Sequence, residues 1–442
     1  MRQVYDKTPR PKIAGRIMVN GNGTKQQASK CDAQNTAPKS HVASYTPTFK
    51  RILVAVDNSP RASMAIDTAV AIARKFGSEV VGIHVYAARL HDRRFVEMED
   101  GLPEKYQQPQ ELKRQRDIHD SLITKGLEMI AESYLDVVAK KCHEHGVRFS
   151  RQRVEGKNYK ELVGAIQEQR YDLVVMGLTG LGETEKDVIG SVCLRVIRRV
   201  QSDCLIIKNG VEMGGRIVVA IDGSPQSFGG LKTALALGKE LVVPVEAVAA
   251  FDPDFHVTAF RSLEGILSDE AGKVFRFREQ ERLHNEIIDK GIAKIYRDHL
   301  ELARKVAVEE GMQIETQLLR GKPFSAILDH LRANQSSLLV VGRVGVHADD
   351  NLDIGSNTEN LLRSAPCNVL ISARVYSPQP ASNNKQGAVS LPWDEDALAR
   401  LDNVPEFARG MAKKAIEDYA RSEGHEIVTV EAMLAAREKF GM

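Results

Sequence analysis

Between Arg51 and Ser372 the chain alternates two hydrophobic rhythms. Short unbroken apolar runs, "RILVAVD" at 51–57, "EVVGIHVY" at 79–86, "YDLVVMG" at 171–177 and "CLIIK" at 204–208, have the length and content of strands buried on both faces. Between them, apolar residues recur at helical spacing, as in "NSPRASMAIDTAVAIARKFG" (58–77), "YKELVGAIQEQ" (159–169) and "GSVCLRVIRRV" (190–200). Strands that alternate with helices predict right-handed crossovers and a mostly parallel sheet covered on both faces, the doubly wound α/β class.

The pattern runs twice. "RILVAVDNSP" returns as "RIVVAIDGSP", carrying Asp57 to Asp222, 165 residues on. The same offset carries Lys125-Gly126 to Lys290-Gly291, Gly146 to Gly311, Gly156 to Gly321 and Gly177 to Gly342. Loop lengths drift first in such folds, so an offset held across separated landmarks predicts two tandem copies of one five-stranded domain, over 51–209 and 215–374. Each copy has a charge-rich connection after its second strand, about 87–118 and 252–283, which either caps a site or is a solvated insertion.

Flanking segments differ in character. Residues 1–49 mix Lys, Gln, Asn, Ser and Pro with no period, the composition of a disordered arm. Residues 375–391 read as a linker, and 392–442 as three short helices, with Pro405 in a first turn, Gly424 as a C-terminal cap and Thr429 as an N-cap.

Charge and composition narrow the function classes. With 61 Lys+Arg against 59 Asp+Glu, the formal charge of +2 provides no field to draw the chain onto nucleic acid or an anionic membrane. Neither is expected as a partner. No apolar run approaches the roughly 20 residues of a membrane span, and the N-terminus lacks a signal-peptide core, so a cytoplasmic location is expected. The five cysteines, Cys31, Cys142, Cys193, Cys204 and Cys367, show no CxxC or His-paired spacing and read as reduced thiols without a metal site.

Candidate chemistry sits after the fourth strand of each copy. There Gly177-Leu-Thr-Gly180 is followed by nine residues and then Gly190-Ser191; the second copy reads Gly342-Arg-Val-Gly345, nine residues, Gly355-Ser356. Glycines allow close backbone approach, and free amides at the head of the next helix favour an anion, with Ser191 and Ser356 adding hydroxyl donors: a phosphate cradle. Asp57 and Asp222 stand at the carboxyl end of the first strand, where open sheets bind ligands. Each either meets a nucleotide or cation or caps the helix that follows. His84 reads as a packed strand residue, and His347 in the second loop has no counterpart in the first.

Together, "ILVAVDNSP", "GIHVY", "DLVVMG" and Gly-x2-Gly-x9-Gly-Ser, repeated as "IVVAIDGSP", "LLVVGR" and "GSNTENLLRSAPCNVLIS", resemble the universal stress protein family over roughly three quarters of the chain. The spaced glycines are the sign of its ATP-binding branch. The resemblance implies an adenine-nucleotide alpha-hydrolase-like fold. It implies Asp57 and Val85 near the adenosine, and Gly177, Gly180, Gly190 and Ser191 around ribose and phosphates. In the second copy the set becomes Asp222, Gly342, Gly345, Gly355 and Ser356, with Ala250 in place of Val85 and hence a looser adenine pocket. Acids inside the loops, Glu183, Glu185 and Asp187, then Asp349, Asp350 and Asp353, repel a triphosphate unless Mg²⁺ intervenes or they point to solvent, which leaves weakly held ATP or the less charged AMP as the ligand. The family also implies pairing of "CLIIK" with "NVLIS", an internal pseudo-dimer, with a homodimer as a further option. Residues from Trp393 onward resemble the small helical domain that ends the B subunit of light-independent protochlorophyllide reductase. It holds no cysteine, so the resemblance brings no iron–sulfur ligand; its Arg409, Lys413 and Lys414 read as a solvated face, and it should dock on the tandem domains or an unknown protein partner. A nucleotide-binding stress-response protein is thus expected, with slow ATP hydrolysis or self-phosphorylation, and a scaffold that binds no nucleotide, as alternatives.

Overall fold

The computed structural model describes residues 48–182, 188–210, 213–253, 289–346, 353–378, 391–402, 413, 415–417 and 419–440. The expectations for residues 1–47, most of the connection at 252–283, loop residues Glu183, Glu185, Asp187, His347, Asp349 and Asp350, most of the linker, and Pro405, Arg409 and Lys414 lie outside these.

The first repeat runs β1 (Arg51–Ala55), α1 (Pro60–Phe76), β2 (Glu79–Tyr86), α2 (Ala88–Met98), α3 (Pro109–Asp120), α4 (Leu127–Glu144), β3 (Arg148–Glu155), α5 (Asn158–Gln169), β4 (Leu173–Gly177), α6 (Ser191–Ile197) and β5 (Asp203–Ile207). In the second come β6 (Ile217–Ala220), α7 (Pro225–Leu241), β7 (Val245–Phe251), α8 (Asp289–Glu309), β8 (Glu315–Arg320), α9 (Pro323–Ala333), β9 (Leu338–Gly342), α10 (Ser356–Ser364) and β10 (Asn368–Ser372). The charge-rich connection of the first repeat is itself helical, in α2 and α3.

Local chemistry sets the element ends. In α1, the Ser59 side chain accepts from the Ala62 amide at 3.2 Å, Pro60 occupies the first turn, and Gly77 closes the helix at φ 65°. Ser224 and Pro225 repeat that start in α7, where Ser224 Oγ accepts from the Ser227 amide at 3.1 Å. The cap is therefore the serine, not the aspartate two residues earlier. Asp57 Oδ1 instead accepts the Ser59 amide (3.1 Å), and Asp222 Oδ1 the Ser224 amide (2.9 Å), which closes a turn ahead of each helix.

The strands form one ten-stranded sheet in the order β3-β2-β1-β4-β5-β10-β9-β6-β7-β8. Each repeat contributes five parallel strands, as its two-face burial required, and the halves meet where β5 and β10 pair antiparallel. Leu370 faces Leu205, Val369 faces Ile206 and Ile371 faces Cys204. Leu205 and Leu370 are repeat-equivalent, so the seam is isologous about that pair and the expected internal pairing is present. Every residue of β5 and β10 is buried.

Alternation along the strands divides the core into two layers. Ile52 and Val54 face one cluster with Leu205 and Val219; Leu53 faces the other with Ile206 and Val218, and each cluster spans both repeats. Each fully buried Leu, Ile or Val adds about 1.5–3 kcal/mol. Phe49, assigned by composition to the arm, belongs to the first layer: it is 1% exposed and meets Phe76 edge-on at 4.9 Å between centroids. A polar surrounding stretch hid a single anchoring aromatic.

Buried polar groups lock the seam. Asp203, at the start of β5, accepts from Thr233 Oγ1 and Ser372 Oγ at 3.0 Å, the Ala373 amide at 3.0 Å and Arg374 Nε at 2.7 Å. Its equivalent, Asn368, accepts the Lys208 amide at 2.9 Å. Cys142, Cys193, Cys204 and Cys367 are buried and unpaired. Burial pushes the Cys142 and Cys367 thiols up to about 11 and Cys204 to about 12, so they stay protonated.

Past the linker, α11 (Glu395–Asp402) and α12 (Val430–Phe440) flank helical residues 415–417 and 419–422. Gly424 caps that stretch at φ 78°, and Thr429 Oγ1 accepts the Ala432 amide at 3.3 Å, as their residue types indicate. Ile416, Ala420, Val428 and Ala436 form a small separate core under Trp393, whose indole donates to Glu417 Oε1 at 3.0 Å. Lys413 is exposed. Among the described residues no helix is long and apolar enough to cross a membrane.

Candidate nucleotide site

At the carboxyl end of β1 and β4 in the first repeat lies a cavity of about 460 Å³. Asp57, Val85, Gly177, Gly180, Gly190 and Ser191 all line it. At the corresponding position of the second repeat a cavity of about 300 Å³ is lined by Asp222, Ala250, Gly342, Gly345, Gly355 and Ser356. All twelve of these residues, singled out by sequence, thus converge on two matched cavities.

Close packing explains the glycines. A Cβ on Gly177 would lie 2.9 Å from Arg61 Cβ and 3.1 Å from the Thr179 carbonyl oxygen; on Gly190 it would lie 2.9 Å from the Leu178 carbonyl oxygen. On Gly180 it would collide with Asp57 Oδ2, and on Gly345 it would lie 2.7 Å from Asp222 Oδ2. The Gly190 amide donates to Leu178 O at 2.9 Å and Gly355 to Arg343 O at 2.8 Å, folding each loop back on the end of its strand. These turns press backbone against an acidic side chain and line the cavity with bare backbone at each glycine.

The two aspartates differ. Asp57 Oδ2 takes no hydrogen bond from a described residue, whereas Asp222 Oδ2 accepts the Val346 amide at 3.0 Å. His84 is half-buried rather than packed away: it lines the cavity, its Nδ1 lies 2.6 Å from Val56 O, and its ring meets Tyr134 edge-on at 5.0 Å. The chain places Ala249 and His299 where the first repeat has His84 and Tyr134.

Sequence reasoning missed two wall residues. Thr179, buried between the first two glycines, lines the first cavity and accepts from Arg61. Tyr296 lines the second cavity from α8, where the first repeat has Ala131, and that cavity is the smaller of the two. Burial, and next the Asp222 carboxylate, hold the Tyr296 hydroxyl above its ordinary range. Behind it His299 packs against Gly223, at φ 90°, and burial holds its imidazole below the ordinary value against the opposing pull of Asp222 and Asp298. The offset of 165 exposes these pairs when read through the long helix. Arg343 replaces Leu178 in the second turn, is 3% exposed, and donates through Nη1 to Ile197 O at the end of α6 in the other repeat. Its Nε and Nη2 have no partner among the described residues, and burial lowers its pKa. No group of three or more His, Cys, Asp or Glu among the described residues is placed to hold a metal.

Known proteins frame this architecture. The family model described as "Universal stress protein family" matches residues 48–208 and again 213–373; that described as "Proto-chlorophyllide reductase 57 kD subunit" matches 393–437. Over 159 residues the chain is 31% identical to the universal stress protein YxiE of Bacillus subtilis, covering 36% of this chain and 99% of that protein. It is 30% identical over 152 residues to the B subunit of the light-independent protochlorophyllide reductase of Chloroflexus aurantiacus, covering 29% of this chain and only 28% of that protein's length. A universal stress protein structure from Archaeoglobus fulgidus superposes with a TM-score of 0.48 at 16% identity, covering 73% of this chain and 97% of that one. With two tandem matches that together take in most of its length, the chain belongs to the universal stress protein family.

Proposed function

We propose that this chain is a cytoplasmic, adenine-nucleotide-binding stress-response protein whose ligand state is read by protein partners. The observation that carries the reading is the convergence of Asp57, Gly177, Gly180, Gly190 and Ser191 on one cavity at the strand tips, repeated by Asp222, Gly342, Gly345, Gly355 and Ser356. Volumes of about 460 and 300 Å³ fall within and at the edge of the roughly 300–1,000 Å³ of small-molecule sites. Apolar Val85, Ile83 and Met176 offer a wall for a base, Asp57 Oδ2 an acceptor for a ligand hydroxyl or amine, and the glycine turns a surface for phosphates. Where Mg²⁺ accompanies the phosphates, Asp57 and Asp222 are the carboxylates that would hold it; the ion would screen their charge from the ligand.

Binding rather than turnover fits this lining, since no Lys or Arg is among the described residues lining either cavity. The helical unit at the C-terminus, with its own small core, is assigned to partner docking.

Nucleotide analysis of the ligand released by heating purified protein tests the reading. Adenine nucleotide is expected from the native chain and none from a Gly180→Val, Gly345→Val double variant, because each added side chain meets an aspartate carboxylate. No recovered nucleotide, together with no calorimetric binding of ATP in the presence of Mg²⁺, would leave an interaction scaffold as the remaining description.

A further inference from the structure

The two cavities differ in ways that duplication alone does not explain. In the second, Tyr296 stands where Ala131 stands in the first, and the volume falls from about 460 to about 300 Å³. One loop amide of the second site, Val346, is already engaged by Asp222 Oδ2 at 3.0 Å; its equivalent, Leu181, makes no such bond to Asp57. The rims also differ in charge. Beside the first cavity Lys157, Arg195 and Arg199 gather around the Tyr159 ring, at 5.3, 4.8 and 5.8 Å from its centroid. Lys157 adjoins Asn158, and Arg195 lies one helical turn beyond Ser191; both neighbours line the cavity. No carboxylate among the described residues pairs with these three cations. In the second repeat the equivalent positions are Lys322, Asn360, Ser364 and Phe324, so two of three cations are gone.

Phosphate groups bring charge and volume together. Each phosphate added to a nucleoside needs further donors or cations and further room, and a desolvated anion left without them is repelled by the aspartate at the strand tip. We infer, on the nucleotide reading above, that the two sites are unequal: the first takes a nucleoside triphosphate and the second a nucleoside monophosphate. The chain is then equipped to register both ends of the same phosphorylation balance in one sheet.

Titration calorimetry on the full chain, with ATP plus Mg²⁺ and with AMP, tests this. One ATP per chain is expected, with AMP still binding once ATP has saturated its site. Arg195→Glu, an exposed change, should weaken ATP binding by roughly tenfold and leave the AMP site unmoved, because it reverses a charge beside the phosphate tail of one ligand only. ATP affinity should also fall more steeply with added salt than AMP affinity. Tyr296→Ala should open a second ATP site. Two ATP molecules bound with equal affinity by the native chain, or an ATP site indifferent to Arg195→Glu, would overturn the inference while preserving the nucleotide reading. Failure of both nucleotides to bind would overturn that reading itself.

Discussion

His299 shows how one half-buried side chain ties a site to stability. Its Nδ1 is buried without a described partner, and its ring packs on Gly223 and edge-on to Tyr296 at 5.9 Å. Burial favours the neutral imidazole, so the folded pKa lies below the ordinary 6.5. Between those two values the unfolded chain holds a proton that the folded chain does not, and stability falls as the pH drops through that window. His299→Phe removes this dependence. Urea midpoints at pH 7 and pH 5 should show a larger acid loss in the native chain than in the variant; equal losses would refute the assignment. Residue by residue, the glycines and strand-tip aspartates were legible in the sequence because their reason is local spacing at the end of a strand. Tyr296 and, behind it, His299 were not, since they lie on a helix that follows a long charged connection, and only the folded crossover brings Tyr296 to the cavity.

At the scale of elements, the two matched helices α1 and α7 start alike and end differently. Ser59-Pro60 and Ser224-Pro225 are start signals readable from sequence, and Gly77 is an equally plain stop. Helix α7 stops at Val242 instead, a β-branched residue held at φ 58° and 85% exposed. No glycine announced that end, because the stop is imposed by the return of the chain into β7 through Pro244. A left-handed conformation costs an L-residue roughly 1–2 kcal/mol that glycine avoids. Val242→Gly should therefore stabilise the chain by about 1 kcal/mol, seen as a higher urea midpoint at unchanged slope. An unchanged or lower midpoint would mean that the strain is offset locally.

The whole molecule is organised by the β5–β10 seam. The joined sheet was legible through the family resemblance, which implies pairing of the two last strands; the polar lock around it was not, because Asp203 and Arg374 are 171 residues apart and belong to different repeats. Asp203 is the acid in a position whose equivalent is Asn368, and Arg374 is the base where the first repeat has Asn209. Breaking an ion pair whose carboxylate is fully buried, as Asp203 is, costs about 3–5 kcal/mol. Asp203→Asn should lower stability by that order, and Asp203→Asn combined with Arg374→Asn should recover most of it, since the seam then carries Asn on both sides. Chemical denaturation of the four members of that cycle measures the coupling, and additive losses would remove the ion pair from the account.

An antiparallel seam between two parallel halves has a directional result. The strand tips of β1 and β4 point one way along the sheet and those of β6 and β9 the other, so the mouths of the two cavities open on opposite rims. A rigid protein seated over one mouth leaves the other uncovered, and a listener for each ligand has a separate face to approach.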